Sequence, residues 1–165
     1  MKISDAYPLA IWPAFNLLAR LAPDKRWASP EATVALLSIG LQETKFLTRI
    51  QYGNGPARSF WQFEEGGGVK GVMNHHSVGK YCKLVCEYFN VPFDKHSIWK
   101  AMETNDVLGA VMARLLLYSS PKALPKVGDE RGMWQMYLDN WRPGKPHPAT
   151  WPDNYATALK ELKRE

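Results

Sequence analysis

The sequence predicts a mainly α-helical single domain built around one buried central helix, and three observations carry that prediction. From Ala32 to Leu41 almost every side chain is apolar or small, and a helix that is apolar all round is a buried one. Val107, Leu108, Val111, Met112, Leu115 and Leu116 recur at the spacing of a single helical face. Outside Arg49 to Phe63 no useful run alternates apolar and polar residues with period two, so any sheet is at most a small β-hairpin in that segment.

Composition bounds the rest. The chain has 165 residues, 45% of them hydrophobic, which suits one compact domain over 1–165 with a sizeable core. No internal repeat, low-complexity tract or linker interrupts it. Lys and Arg number 21 against 16 Asp and Glu, a net charge of +5. That balance fits a polyanionic partner, whether nucleic acid, an anionic membrane face or the polymers of a bacterial envelope, without choosing among them. Cys82 and Cys86 are the two cysteines; they form neither a disulfide framework nor a Cys-x-x-Cys knuckle. His75 joins their face only if a helix runs unbroken through Gly79, so buried free thiols are expected, with no metal and no cofactor. The run from Ala32 to Leu41 is too short to span a bilayer. Asp5, Pro8, Pro13 and Asn16 break up the N-terminal apolar stretch, so neither a cleavable signal nor stable membrane insertion is expected.

In chain order, Leu9, Ile11, Trp12, Phe15, Leu17, Leu18 and Leu21 describe an amphipathic helix over 6–21, bent at Pro13. Ser29, Pro30 and Glu31 are an N-cap, a first-position proline and a first-turn acid for the central helix. Val69 to His75 reads as a short helix, opened by the turn Gly66-Gly67-Gly68 and capped by Glu64-Glu65. Ser77 to Phe89 is the next helix. Asp94, Asn105 and Asp129 are N-caps for three further helices. Trp151 to Tyr155 opens the last helix, which runs into the charged tail ending at Glu165.

Glu43 sits in the last turn of the central helix. The negative end of the helix dipole opposes its ionisation, and burial beside Phe46, Phe60 or Trp61 acts the same way. A carboxyl kept protonated near neutral pH can give a proton to a leaving oxygen. The plain alternative is a solvated glutamate at a helix end.

Glu43-Thr44-Lys45-Phe46, followed by Gly55-Pro56-Ala57-Arg58-Ser59-Phe60-Trp61-Gln62, resembles the soluble lytic transglycosylase and goose-type lysozyme superfamily. That family carries Glu-Ser-x-Phe at the end of a buried helix and a Gly-Ala-x-Gly-Leu-Met-Gln-like motif downstream. In this chain Thr44 replaces the serine, Ser59 a glycine, and Phe60-Trp61 the Leu-Met pair. Asn105 to Leu115 is similar to the family's Asn-Ile-x-x-Gly-x-x-Tyr-Leu helix, with Met112 at the usual tyrosine. Tyr137 to Pro146 loosely resembles the segment whose tyrosine faces the catalytic glutamate.

The resemblance implies a lysozyme-like fold that cleaves the β-1,4 bond between N-acetylmuramic acid and N-acetylglucosamine in peptidoglycan. Glu43 would be the general acid and base. Tyr52, Ser59, Phe60, Trp61, Gln62, Tyr137 and Arg142 would contact substrate. A hydrolase that inverts needs a second carboxylate, for which Glu64 is the candidate, with Glu65 beside it and Asp139 remote; a transglycosylase needs none. A compact form of this kind is similar to a phage or prophage lytic enzyme. It would be a monomer made in the host cytoplasm, delivered with a holin or in a virion, and active in the periplasm or wall. The rival readings are a chitinase-like glycosidase, a non-catalytic wall-binding or virion structural protein, and a nucleic-acid binder using Arg142 and Lys145.

Overall fold

The structure is a computed structural model and describes residues 1–164; Glu165, the last residue of the tail, lies outside them. Helices dominate, with one two-stranded antiparallel sheet, as the apolar patterning requires. No helix among the described residues is long and apolar enough to cross a membrane.

The central helix is α3, Pro30–Thr44, preceded in the chain by α1, Ile3–Ala6, and α2, Trp12–Leu21. The Ser29 hydroxyl accepts from the Ala32 amide at 3.0 Å, a cap worth about 1 kcal/mol. Every residue from Ala32 to Leu41 is buried. The helix packs chiefly against α9, Trp151–Leu162, and against α7, Asp106–Ser119. Close approach is built in at two glycines. A Cβ on Gly40 would fall 2.2 Å from Cζ of Phe46, and one on Gly109 would fall 3.0 Å from Cβ of Ser59.

The first helical segment departs from expectation. Pro13 does not bend one α-helix; a π-helical turn, Tyr7–Ile11, joins α1 to α2, and the Trp12 amide reaches back five residues to the Tyr7 carbonyl. The wider turn gives room to the Pro13 ring, which in an α-helix would meet the carbonyl four residues earlier. It also rotates Leu9 and Trp12 outward, leaving them 59% and 45% exposed rather than in the core.

The hairpin is small. β1, Ala57–Arg58, pairs antiparallel with β2, Phe63–Glu64. Arg58 fastens it: its Nε donates to Glu103 Oε1 at 2.8 Å, and its guanidinium lies over the Trp99 ring at 4.1 Å. After β2 the chain runs through a π-helical turn, Glu65–Val69, into α4, Lys70–Asn74. The expected helix over 69–75 therefore starts earlier and ends one residue sooner, and neither Glu64 nor Glu65 caps it. Glu64 makes no capping hydrogen bond, and Glu65 pairs with His96 at 3.3 Å.

The remaining helices are α5, Gly79–Tyr88; α6, Lys95–Ala101; and α8, Glu130–Trp141. Asp94, Asn105 and Asp129 cap α6, α7 and α8 through their side chains. Cys82 and Cys86 are free and buried on α5. His75 and His76 stack with ring centroids 4.4 Å apart, in the turn after α4, and no group of metal-ligating side chains forms among the described residues.

Candidate active site

A cleft of about 1180 Å³ has Glu43, Gln62, Glu64, Tyr137 and Arg142 in its walls. Glu43 arrives there because α3 ends one residue later. Lys45 and Phe46 take left-handed backbone conformations, with φ of 54° and 57°, and turn the chain back so that the Phe46 ring seats against Gly40. Thr44 locks this end: its hydroxyl donates to the Phe60 carbonyl at 2.9 Å and accepts from the Phe46 amide at 3.2 Å. Serine at this position would supply the same oxygen.

Glu43 is half-buried, and burial pushes its pKa from 4.5 up to about 7. The Tyr137 hydroxyl donates to its Oε1 at 2.7 Å, which favours the ionised form and works against burial. The tyrosine is held rigidly, stacked on Trp151 with centroids 5.5 Å apart. Burial and the neighbouring Glu43 charge raise its own pKa, so it stays a neutral donor. The pair is a carboxyl that exchanges a proton near neutrality, aimed by one hydrogen bond and open to the cleft.

The structure brings together some of the expected substrate contacts and separates others. Tyr52 is 76% exposed and stands at the cleft edge with Gln62, Glu64 and Arg142. Gln62 Nε2 donates to the Ser59 carbonyl at 2.8 Å. Phe60 and Trp61 are fully buried and Ser59 is nearly so, so these three are corrected from cleft residues to supports. The Trp61 ring packs edge-on against Phe46, and the Phe60 ring packs against Phe46 tilted by 59°. Trp61 Nε1 donates to the Leu36 carbonyl at 2.8 Å, which ties the hairpin turn to α3. The Ser59 hydroxyl accepts from the Trp61 amide at 3.1 Å and shapes the turn that presents Gln62. Large aromatics next to a catalytic motif serve either the groove or the core, and residue type alone does not separate the two.

Of the candidate second carboxylates, Glu64 and Asp139 both line the cleft, whereas Glu65 is engaged by His96. Asp139, distant in sequence, is brought in because α8 carries it two residues after Tyr137.

Gln42 is the site residue that sequence reasoning passed over. Its Nε2 donates to the His147 carbonyl at 3.0 Å, and its Oε1 accepts from Asn154 Nδ2 at 2.7 Å. Lys45 Nζ in turn donates to Asn154 Oδ1. The rim loop after α8 is thus pinned at 147 by Gln42, and at its other end by Trp141 Nε1, which donates to the Trp61 carbonyl at 2.8 Å. The available signal was a lone amide breaking the apolar run one residue before Glu43.

Comparison of the chain with protein-family models, curated proteins and solved structures gave no match in any of the three.

Proposed function

We propose that the chain is a glycosidase of the bacterial cell wall, cleaving the β-1,4 bond between N-acetylmuramic acid and N-acetylglucosamine with Glu43 as general acid. The observation that carries this reading is the Glu43 carboxyl, lifted to about 7 by burial, hydrogen-bonded by Tyr137 and open to a groove of about 1180 Å³. A cleft of that volume has room for a sugar segment, and glycoside cleavage needs a carboxylic acid that still holds its proton at working pH. The likeness of Glu43-Thr44-Lys45-Phe46 and the segment ending at Gln62 to the lytic transglycosylase and goose-type lysozyme motifs supports the same assignment.

In the first step the Glu43 proton passes to the glycosidic oxygen as the bond to the anomeric carbon breaks, leaving oxocarbenium character on the muramic acid ring. Tyr137 holds the carboxyl and stabilises the carboxylate left behind. Two routes complete the reaction. In one, Glu64 or Asp139 activates a water on the opposite face. In the other, the substrate's own C6 hydroxyl attacks and returns its proton to Glu43. Tyr52 supplies an exposed ring for a pyranose face, and Arg142 a charge for the peptide carboxylates of the strand.

Mass spectrometry of purified peptidoglycan digested by the wild type and by Glu43→Gln tests this. Fragments ending in 1,6-anhydromuramic acid mean transglycosylation, and hydrated reducing ends mean hydrolysis. Release of nothing by the wild type, or equal release by Glu43→Gln, overturns the assignment.

A further inference from the structure

We infer that a second concavity, between the N-terminal end of α3 and the loop over 120–126, binds the phosphate group of a phosphate ester. It encloses about 500 Å³ and is lined by Arg26, Arg114, Lys122 and Lys126 against the single carboxylate of Glu31. The inference concerns a different cavity from the Glu43 groove and stands whether or not the glycan reading does.

Arg114 is the anchor. It is only 5% exposed, yet it reaches this cavity. Its Nε donates to the Trp27 carbonyl at 2.8 Å and Nη2 to the Arg26 carbonyl at 3.5 Å, and its guanidinium lies 5.4 Å from the Tyr118 ring centroid. These partners are neutral. The ion-paired arginines among the described residues are Arg49, Arg58 and Arg164; Arg114 has no carboxylate. Burial lowers its pKa to about 10, still far above neutral pH, so a full charge lies buried with no carboxylate within 4 Å among the described residues, where buried charges are ordinarily paired. A guanidinium plane matches phosphate oxygens in pairs.

Independent features point the same way. Ser29 and Glu31, at the start of α3, form the facing wall of the cavity. Lys126 makes no ion pair among the described residues, and the carboxylate near Lys122 is Asp139, 3.8 Å away with the lysine 75% exposed. Three net positive charges suit a dianion better than a carboxylate. Leu117, Tyr118 and Leu124 add an apolar wall that fits the organic part of an ester. Ser120 and Lys122 also line the Glu43 groove, so the two cavities adjoin across this loop.

The test is calorimetric titration of the full chain at fixed ionic strength with inorganic phosphate, glycerol 3-phosphate, a glycerophosphodiester and acetate. The expected result is one saturable site for glycerol 3-phosphate, at least tenfold weaker in Lys122→Gln/Lys126→Gln and weaker again in Arg114→Lys, with acetate far behind. Diester binding equal to the monoester identifies a phosphodiester polymer as the source; monoester and inorganic phosphate alone identify a soluble phosphate compound. Arg114 also holds the backbone at 26–27, so its substitution risks misfolding; the two surface lysines keep the test decisive. Phosphate compounds bound no better than acetate, or bound equally by the lysine variant, overturn the inference.

Discussion

The Tyr137 hydroxyl and the Glu43 carboxyl, 94 residues apart, meet at 2.7 Å, and the bond opposes what burial does to the acid. Removing it leaves burial unopposed. Tyr137→Phe should move the alkaline limb of the rate profile, set by a Glu43 pKa of about 7, to higher pH, while kcat near neutrality falls because the carboxyl is less well held. The profile of kcat/KM against pH checks this; an unmoved limb would detach the tyrosine from the acid.

Glu43→Gln should lower cleavage by about 100-fold to 10,000-fold, the usual worth of a positioned acid. It should also stabilise the fold at alkaline pH. The folded-state pKa lies above the unfolded value of 4.5, so the folded state holds the proton more tightly. The associated stability is complete below pH 4.5 and is lost as pH rises through about 7. Above that the ionised Glu43 costs on the order of 3 kcal/mol. Thermal melts of both proteins from pH 4 to 9 should therefore diverge in favour of Glu43→Gln as pH rises.

Arg58 and Glu103 pair at 2.8 Å with side chains only 6% and 15% exposed. Glu103→Gln leaves the guanidinium without its counter-charge and should cost about 3 kcal/mol, read by denaturant midpoints. The arginine holds the Glu103 pKa down, so the pair's contribution is present above pH 4.5 and disappears as pH falls through the lowered value. The wild type should lose stability in that acid range, and Glu103→Gln should lose less.

Trp61→Ala and Tyr52→Ala separate support from contact. Trp61 is fully buried, and its truncation should destabilise by about 3 to 5 kcal/mol. Tyr52 is 76% exposed; its truncation should leave the melting temperature nearly unchanged and raise KM for the glycan. A Tyr52→Ala protein with unchanged KM would remove that ring from the substrate path.

Much of the architecture was legible because it rests on local patterns. The unbroken apolar run of α3 announces burial, and Ser29, Asp94, Asn105 and Asp129 cap the helices they precede. The catalytic candidate was legible for a similar reason, since its placement follows from where α3 stops. What escaped depends on distance. Whether Phe60 and Trp61 face a groove or a core is decided by Phe46 and by the Leu36 carbonyl, neither of which leaves a periodic trace. The π turn over 7–11 was hidden because two prolines predict a disturbance without saying which kind. Gln42 was overlooked because its partners, His147 and Asn154, lie more than 100 residues away.

The rim loop is fixed by Trp141 at one end and by the Gln42 bond to His147 at the other, with Arg142 to Pro146 strung between them. Neither anchor draws on the side chains of that intervening stretch. Its length and composition are thus free to drift while the acid and its tyrosine keep their geometry. Insertion or substitution at 143–146 can therefore reshape the rim of the cleft without rebuilding the helix that holds Glu43.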